Sequence, residues 1–518
     1  MWTAMTDTFR GERKMCPTVL RVGSVRRQPW AVSMPNLQHC LFALLATIVA
    51  LSLGACASRP INPKLEVADR KAGYRVETRA IRGEAGDTMV VLAFSGGGTR
   101  AAAFSFGVLE ELRRTQITVD GRRTRMLDEI DVITGVSGGS FTALAYALHG
   151  EKLFDDYEKR FLKRDVQGAL VSRFLSPFNW PALASDSWGR SEAAAQYYDE
   201  ILFDGATYGD LIGRDGPVAV ASATDISTGS RFSFTQADWD MICSDLSRVR
   251  LSRAAAASSA VPVVLSAVTV NNYGGTCAYE DPFWTRAVAD PSNRARPAGR
   301  AMQRYREMQG YQDGANRPYL HLVDGGLADN LGTRAVLETL ETVEASRALG
   351  RRTRLDKLRR IVVFVVNSLS TPRTDWDRSE RPPSSVQLLL KATGVPIDRY
   401  SYESVELLKD LIARWHTLRA LRTGSAASVA SDAFFDRATN VPDLELYAID
   451  VSFSAHPDPA ERAYLNDLPT SFVLADEEVD RLRVAAGTVI RNSSEFQRLL
   501  QALEQPAATS DVAPAASR

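Results

Sequence analysis

Short continuous apolar runs alternate along this chain with segments whose apolar positions recur every three or four residues. MVVLAF (Met89–Phe94), PVAVASATD (Pro217–Asp225) and RIVVFVVN (Arg360–Asn367) are of the first kind. That is the pattern of strands covered on both faces, as in a parallel sheet. MLDEIDVIT (Met126–Thr134) and RPYLHLVDGG (Arg317–Gly326) predict two further strands. Between Ala101 and Arg114 the spacing of Phe104, Val108, Leu109 and Leu112 predicts a helix. The order strand, glycine-rich loop, helix occurs twice: once around SGGGTR, and again as DEIDVIT, GVSGGS, FTALAYAL. Such alternation predicts an α/β fold with a mostly parallel central sheet, whose functional loops gather at the carboxyl ends of its strands.

Outside this core the pattern changes. Cys40–Ala55 is an apolar stretch preceded by Arg21, Arg26 and Arg27 and followed by polar ASRPINPK. A basic region, a short apolar segment and small residues describe a secretory signal, and sixteen residues are short for a membrane span. LGAC (Leu53–Cys56) resembles the lipobox of bacterial lipoproteins, which implies lipidation of Cys56 and a membrane anchor, with an outer membrane facing the periplasm as the expected site. Residues 56–87 read as a tether, 88–370 as the catalytic core and 441–500 as its C-terminal part. Residues 371–440 read as an insertion in which VQLLLKATGV and Ser404–Leu421 form two amphipathic helices, placed as a lid or packed on the sheet. The tail 501–518 reads as disordered.

Composition adds little beyond exclusion. With 518 residues, 62 basic against 62 acidic, the chain has no global excess of positive charge to attract nucleic acid. Export would leave Cys56 for lipid and Cys243 and Cys277 as either a disulfide or two buried thiols. The oligomeric state is open.

The candidate chemistry lies in three loops. Gly135, Ser137 and Gly139 match G-x-S-x-G, a pattern expected about 0.15 times by chance in such a chain. The match gains meaning from its context, a buried strand before and a helix after, which is what a nucleophile elbow requires. Otherwise it is a glycine turn whose serine caps a helix. The N–H of Gly138, at the positive end of that helix, could face a developing oxyanion. Gly96, Gly97 and Gly98 could supply a nest of N–H donors, with Arg100 adding charge or pairing structurally. Gly96, Gly98 and Ala101 also fit a dinucleotide fingerprint, for which Asp120 after TQITV would be the acid. The third loop, Asp324-Gly325-Gly326, offers a carboxylate at a strand end, or a plain turn. The mature chain has only His149, His321, His416 and His456, none in a turn suited to a base, so a Ser-Asp dyad is favoured over a triad.

GGGTR (Gly96–Arg100), GVSGGS (Gly135–Ser140) and DGG (Asp324–Gly326), in this order, resemble the patatin-like phospholipase family. ATDISTGSRFSF (Ala223–Phe234), AAAASSAVPVVLSAV (Ala254–Val268) and LPTSFVLADEEVDRL (Leu468–Leu482) add to the likeness, while Ala101 stands where the family commonly has glycine. The resemblance implies a three-layer α/β fold and a lipid acyl hydrolase acting on phospholipids or other lipid esters without metal or cofactor. It assigns Ser137 as nucleophile, Asp324 as base, and the glycine loop as oxyanion hole. The alternatives are a catalytically inactive lipid-binding lipoprotein and a dinucleotide-dependent oxidoreductase.

Overall fold

The computed structural model describes residues 58–77, 88–119, 121–185, 188–290, 299–348, 350–374, 376–423 and 441–504. Its elements in chain order begin with β1 (Thr88–Phe94), α1 (Gly98–Arg114), β2 (Gln116–Val119), β3 (Arg122–Arg125), β4 (Ile130–Val136), α2 (Gly138–His149) and α3 (Val166–Leu175). There follow β5 (Val218–Asp225), β6 (Ser230–Ser233), α4 (Leu251–Ser258), β7 (Val268–Asn271), β8 (Tyr319–Asp324) and α5 (Arg334–Ala348). Further on come β9 (Arg360–Asn367), α6 (Ser385–Thr423), β10 (Glu445–Ser452) and α7 (Asp476–Asn492).

The apolar runs build an eight-stranded mixed sheet in the order β10-β9-β1-β4-β5-β8-β7, with β6 also on β5. The five strands from β10 to β5 are parallel, and β6, β7 and β8 pair antiparallel. Leu92, Ala93 and Phe94 of β1 have no exposed surface. Helices explain this: α1, α2 and α7 lie together on one face, where the backbone of Arg483 passes Gly107 too closely for any side chain there. On the other face Val91, Val132 and Val220 meet Val336, Leu340 and Val343 of α5 around a cavity of about 490 Å³. The fold is the expected α/β arrangement with a mostly parallel central sheet.

Several expectations need correction. The strand before the serine starts at Ile130, because Met126–Glu129 forms a 3-10 turn in which Arg125 Nη2 bonds Asp128 Oδ1 at 2.7 Å. The Asp131 carboxylate then accepts the Val90 N–H at 2.8 Å, where the β1–β4 register shifts. The TQITV strand, β2, pairs with β3 in a separate antiparallel hairpin. It therefore does not continue the parallel sheet as a dinucleotide fold demands. Asp120 lies outside the described residues.

The two helices expected between 386 and 421 are one, α6, which continues through Pro396. Residues 58–77 are docked rather than free. Leu65 N–H and Ala68 N–H donate to the carbonyls of Cys243 and Cys277 (2.8 and 3.0 Å), Asn62 Nδ2 donates to Ser244 Oγ (2.8 Å), and Arg75 pairs with Asp240. Cys243 and Cys277 are joined as a disulfide, which ties together the two loops that hold this segment. Residues 501–504 belong to a helix, Ser494–Glu504, and not to a tail. The apolar stretch Cys40–Ala55, Cys56 and residues 505–518 lie outside the described residues. Among the described residues no helix is long and apolar enough to cross a membrane.

Candidate active site

β4 runs to Val136 with every residue buried, and α2 begins at Gly138. The whole reversal falls on Ser137, at φ 48° and ψ −120°. A non-glycine residue rarely adopts this conformation, and where one does, the surroundings hold it there. Here the Ser137 N–H donates to Ser258 Oγ at 2.9 Å, and Ser258 Oγ donates to the Ser222 carbonyl at 2.7 Å. Glycine is needed next to the serine for space. A Cβ on Gly138 would lie 2.0 Å from the Gly98 carbonyl oxygen, so the two glycine loops touch through their backbones.

Asp324 reaches this point in a way the parallel-sheet rule did not foresee. β8 runs antiparallel to β5, with Asp324 opposite Ala223, while Val136 of β4 lies opposite Ser222. The strand thus enters from beyond the carboxyl edge and ends level with the serine turn. Ser137 Oγ donates to Asp324 Oδ2 at 2.9 Å, and Gly326 N–H donates to Oδ1 at 2.8 Å. Burial pushes the Asp324 carboxyl up to about 6, against the lowering effect of these two hydrogen bonds. The strand end is fixed by Thr224 Oγ1, which donates to the Asp324 carbonyl at 2.9 Å, and by the Asp324 N–H on the Ala260 carbonyl at 3.0 Å.

The glycine loop divides its roles. Gly96 N–H donates to the Asn330 carbonyl at 2.9 Å, so this amide is already engaged and does not belong to a donor nest. The N–H groups of Gly97, Gly98 and Gly138 have no acceptor among the described residues. Gly97 and Gly98 line the same cavity of about 680 Å³ as Ser137 and Asp324. Gly98 (φ 61°) lies against Ser471, whose carbonyl accepts the Thr99 N–H at 2.8 Å. Arg100 is buried with Nε on the Ser368 carbonyl (2.8 Å) and Nη1 on that of Leu468 (2.9 Å). Burial lowers its guanidinium to about 10, with the charge of Asp398 acting in the opposite sense. It is a clamp between α1 and two distant loops, as one of its expected roles had it.

The remaining residues fall into place around these. Gly135 lies on β4 under the backbone of Ser140; Gly139 abuts Phe94 and Ser95; Gly325 abuts the Ser222 carbonyl. Of the histidines, His149 bonds the Leu202 carbonyl, His321 bonds Thr269 Oγ1, His456 bonds the Asp458 backbone and His416 is exposed on α6. None lines the cavity. Asn330 was expected, with Asp329, to fix the loop after Asp324 by hydrogen bonds, whereas Ser258, Thr224 and Ser471 were not singled out individually from the sequence. The only signal for these three was their place in the supporting stretches at Ala223–Phe234, Ala254–Val268 and Leu468–Leu482.

The site thus holds a serine on a strained strand-to-helix turn, bonded to a buried carboxylate beside amides without an acceptor among the described residues. The family model described as patatin-like phospholipase matches residues 92–337. Residues 92–337, a little under half of the chain, are thus similar to a patatin-like phospholipase domain. At family level such a domain belongs to a lipid acyl hydrolase. Among solved structures, human GIVD cytosolic phospholipase A2 is similar at 13% identity and a TM-score of 0.36, with 91% of this chain and 67% of that chain covered. The human GIVD enzyme in complex with methyl gamma-linolenyl fluorophosphonate gives 13% identity and a TM-score of 0.38, covering 81% of this chain and 60% of that one. No curated protein sequence matches. The matched stretch thus contains all three loops, with Leu468 and Ser471 added from beyond it.

Proposed function

We propose that the protein is a serine carboxylic-ester hydrolase of phospholipids or related lipid esters, working through Ser137 and Asp324. The observation that carries this reading is the 2.9 Å contact between Ser137 Oγ and a carboxylate whose proton affinity burial has raised. Ser137 Oγ attacks the ester carbonyl carbon as its proton passes to Asp324 Oδ2. The carbonyl oxygen becomes an oxyanion, held by the amides of Gly97, Gly98 and Gly138 at the start of α2. As the carbon–oxygen ester bond breaks, Asp324 returns the proton to the leaving alcohol oxygen. Water then attacks the acyl-serine, gives its proton to Asp324, and releases the fatty acid as Ser137 recovers its proton.

A base at about 6 has a readable consequence. Only ionised Asp324 can accept the serine proton, so kcat/KM on a soluble ester rises with pH through about 6 and is level above it. A profile that stays flat well below that inflection contradicts the assignment. Ser258 is a positioning residue in this scheme. Ser258→Ala leaves the Ser137 N–H without its acceptor, and kcat falls by about tenfold with KM nearly unchanged. An unaltered kcat removes Ser258 from the elbow.

Export and lipid anchoring at Cys56 complete the proposal. They are supported by the lipobox-like LGAC and by the Cys243–Cys277 disulfide, a bond suited to an oxidising compartment. Mass spectrometry of the mature protein would find a lipidated Cys56 at its N-terminus. An unmodified residue upstream of Cys56 rules the anchor out.

A further inference from the structure

We propose that the rim of the Ser137 cavity is itself a lipid-docking surface, separate from any anchor at Cys56; the inference rests on the acyl-hydrolase reading for the identity of its partner. Three sides of the mouth are apolar and exposed. On α3, Leu170, Val171 and Phe174 line the cavity, and Val171 is also 48% exposed. Leu175, one helical turn beyond Val171, is 69% exposed; Phe178 and Trp180 follow at 94% and 57%. Across the mouth, Val264 lines the cavity and is 54% exposed beside Val263 at 53%. Val263 sits at φ 74°, a conformation that strains a β-branched residue.

The third side is the first half of α6. Gly394 and Ile397 line the cavity, while Val395 between them and Leu388 and Leu389 before them are about half exposed. At Val171 and Val264 the exposed apolar surface is itself cavity wall, and Val395 lies between two lining residues, so the wall continues outward at these points. Contiguous patches of this kind mark a docking face. Their continuity with the cavity selects a lipid layer as occupant, because a long acyl chain crossing water to enter would lose hydrophobic free energy with each exposed methylene. A mouth pressed into the layer lets the chain pass from one apolar medium to another. Phe178, the most exposed of these side chains, and Trp180 suit the depth of lipid headgroups.

The test uses the full chain and phosphatidylcholine vesicles. In a Ser137→Ala background, vesicles of brominated phosphatidylcholine should quench tryptophan fluorescence, and a Trp180→Phe substitution should remove part of that quenching. Leu175→Ser with Phe178→Ser should lower hydrolysis of the vesicle lipid about tenfold or more. The same pair should leave hydrolysis of a monomeric short-chain ester within about twofold, as for other surface changes. Three outcomes would overturn the proposal: quenching that does not involve Trp180, equal loss on both esters, or self-association lost in the variant with vesicle hydrolysis unchanged. If the wild-type chain hydrolyses neither ester, the enzymatic reading fails, and the quenching still decides whether this face meets lipid.

Discussion

Ser137→Ala should lose ester hydrolysis by about ten-thousandfold or more, as expected when the nucleophile of an acyl-transfer site is removed. Among the described residues no other hydroxyl bonds the Asp324 carboxylate: its oxygens accept from Ser137 Oγ and the Gly326 N–H, and Thr224 Oγ1 donates to the backbone carbonyl instead. The fold should survive the change. The strained turn is held by the Ser137 N–H on Ser258 and by glycine contacts, all of which alanine keeps. Steady-state hydrolysis of a phospholipid and of a short soluble ester, with a melting curve on the same samples, checks both halves. Residual turnover close to wild type would exclude a serine mechanism.

Asp324→Asn should cost about a thousandfold to ten-thousandfold in kcat, because an amide cannot accept the serine proton. Its effect on stability should have the opposite sign from a structural lesion. The folded-state carboxyl is raised to about 6 from the 3.8 of an unburied aspartate. Between those values the folded chain binds more protons than the unfolded one, so stability falls as pH rises from the lower to the upper and the penalty is complete above it. Asparagine carries no charge to desolvate. At pH 7.5 the variant should therefore be as stable as wild type or more so, by about 1–3 kcal/mol. Activity lost together with a large drop in melting temperature would instead make Asp324 a structural residue.

The site was legible in the sequence where chemistry and local geometry coincide. A buried apolar run, then Gly-Val-Ser-Gly-Gly, then a small-residue helix can fold in few ways, and Ser137 lies on the turn expected of it. Asp324 was legible as an acid ending a strand, but the direction of that strand was not. Nothing local distinguishes β8 from a parallel strand, since its direction depends on how the chain returns to the sheet. The engaged amide of Gly96 was hidden for the same reason: its acceptor, the Asn330 carbonyl, lies far off in sequence. Ser258 looked like one of several small residues in AAAASS, and only its two hydrogen bonds reveal its place behind the elbow. Pro396 lies between the two helices expected from the pattern, yet α6 continues through it. The segment 58–77 read as a tether because its anchors, Asn62 and Arg75 among them, are polar and their partners remote.

The central claim is that Ser137 is a nucleophile activated by Asp324. Reaction with an alkyl fluorophosphonate, followed by peptide mapping, tests it most directly. The claim predicts one phosphonyl adduct on Ser137, within the tryptic peptide Met126–Lys152, forming far more slowly in Asp324→Asn. A folded wild-type protein that stays unlabelled, or that carries the adduct on another residue, would contradict it.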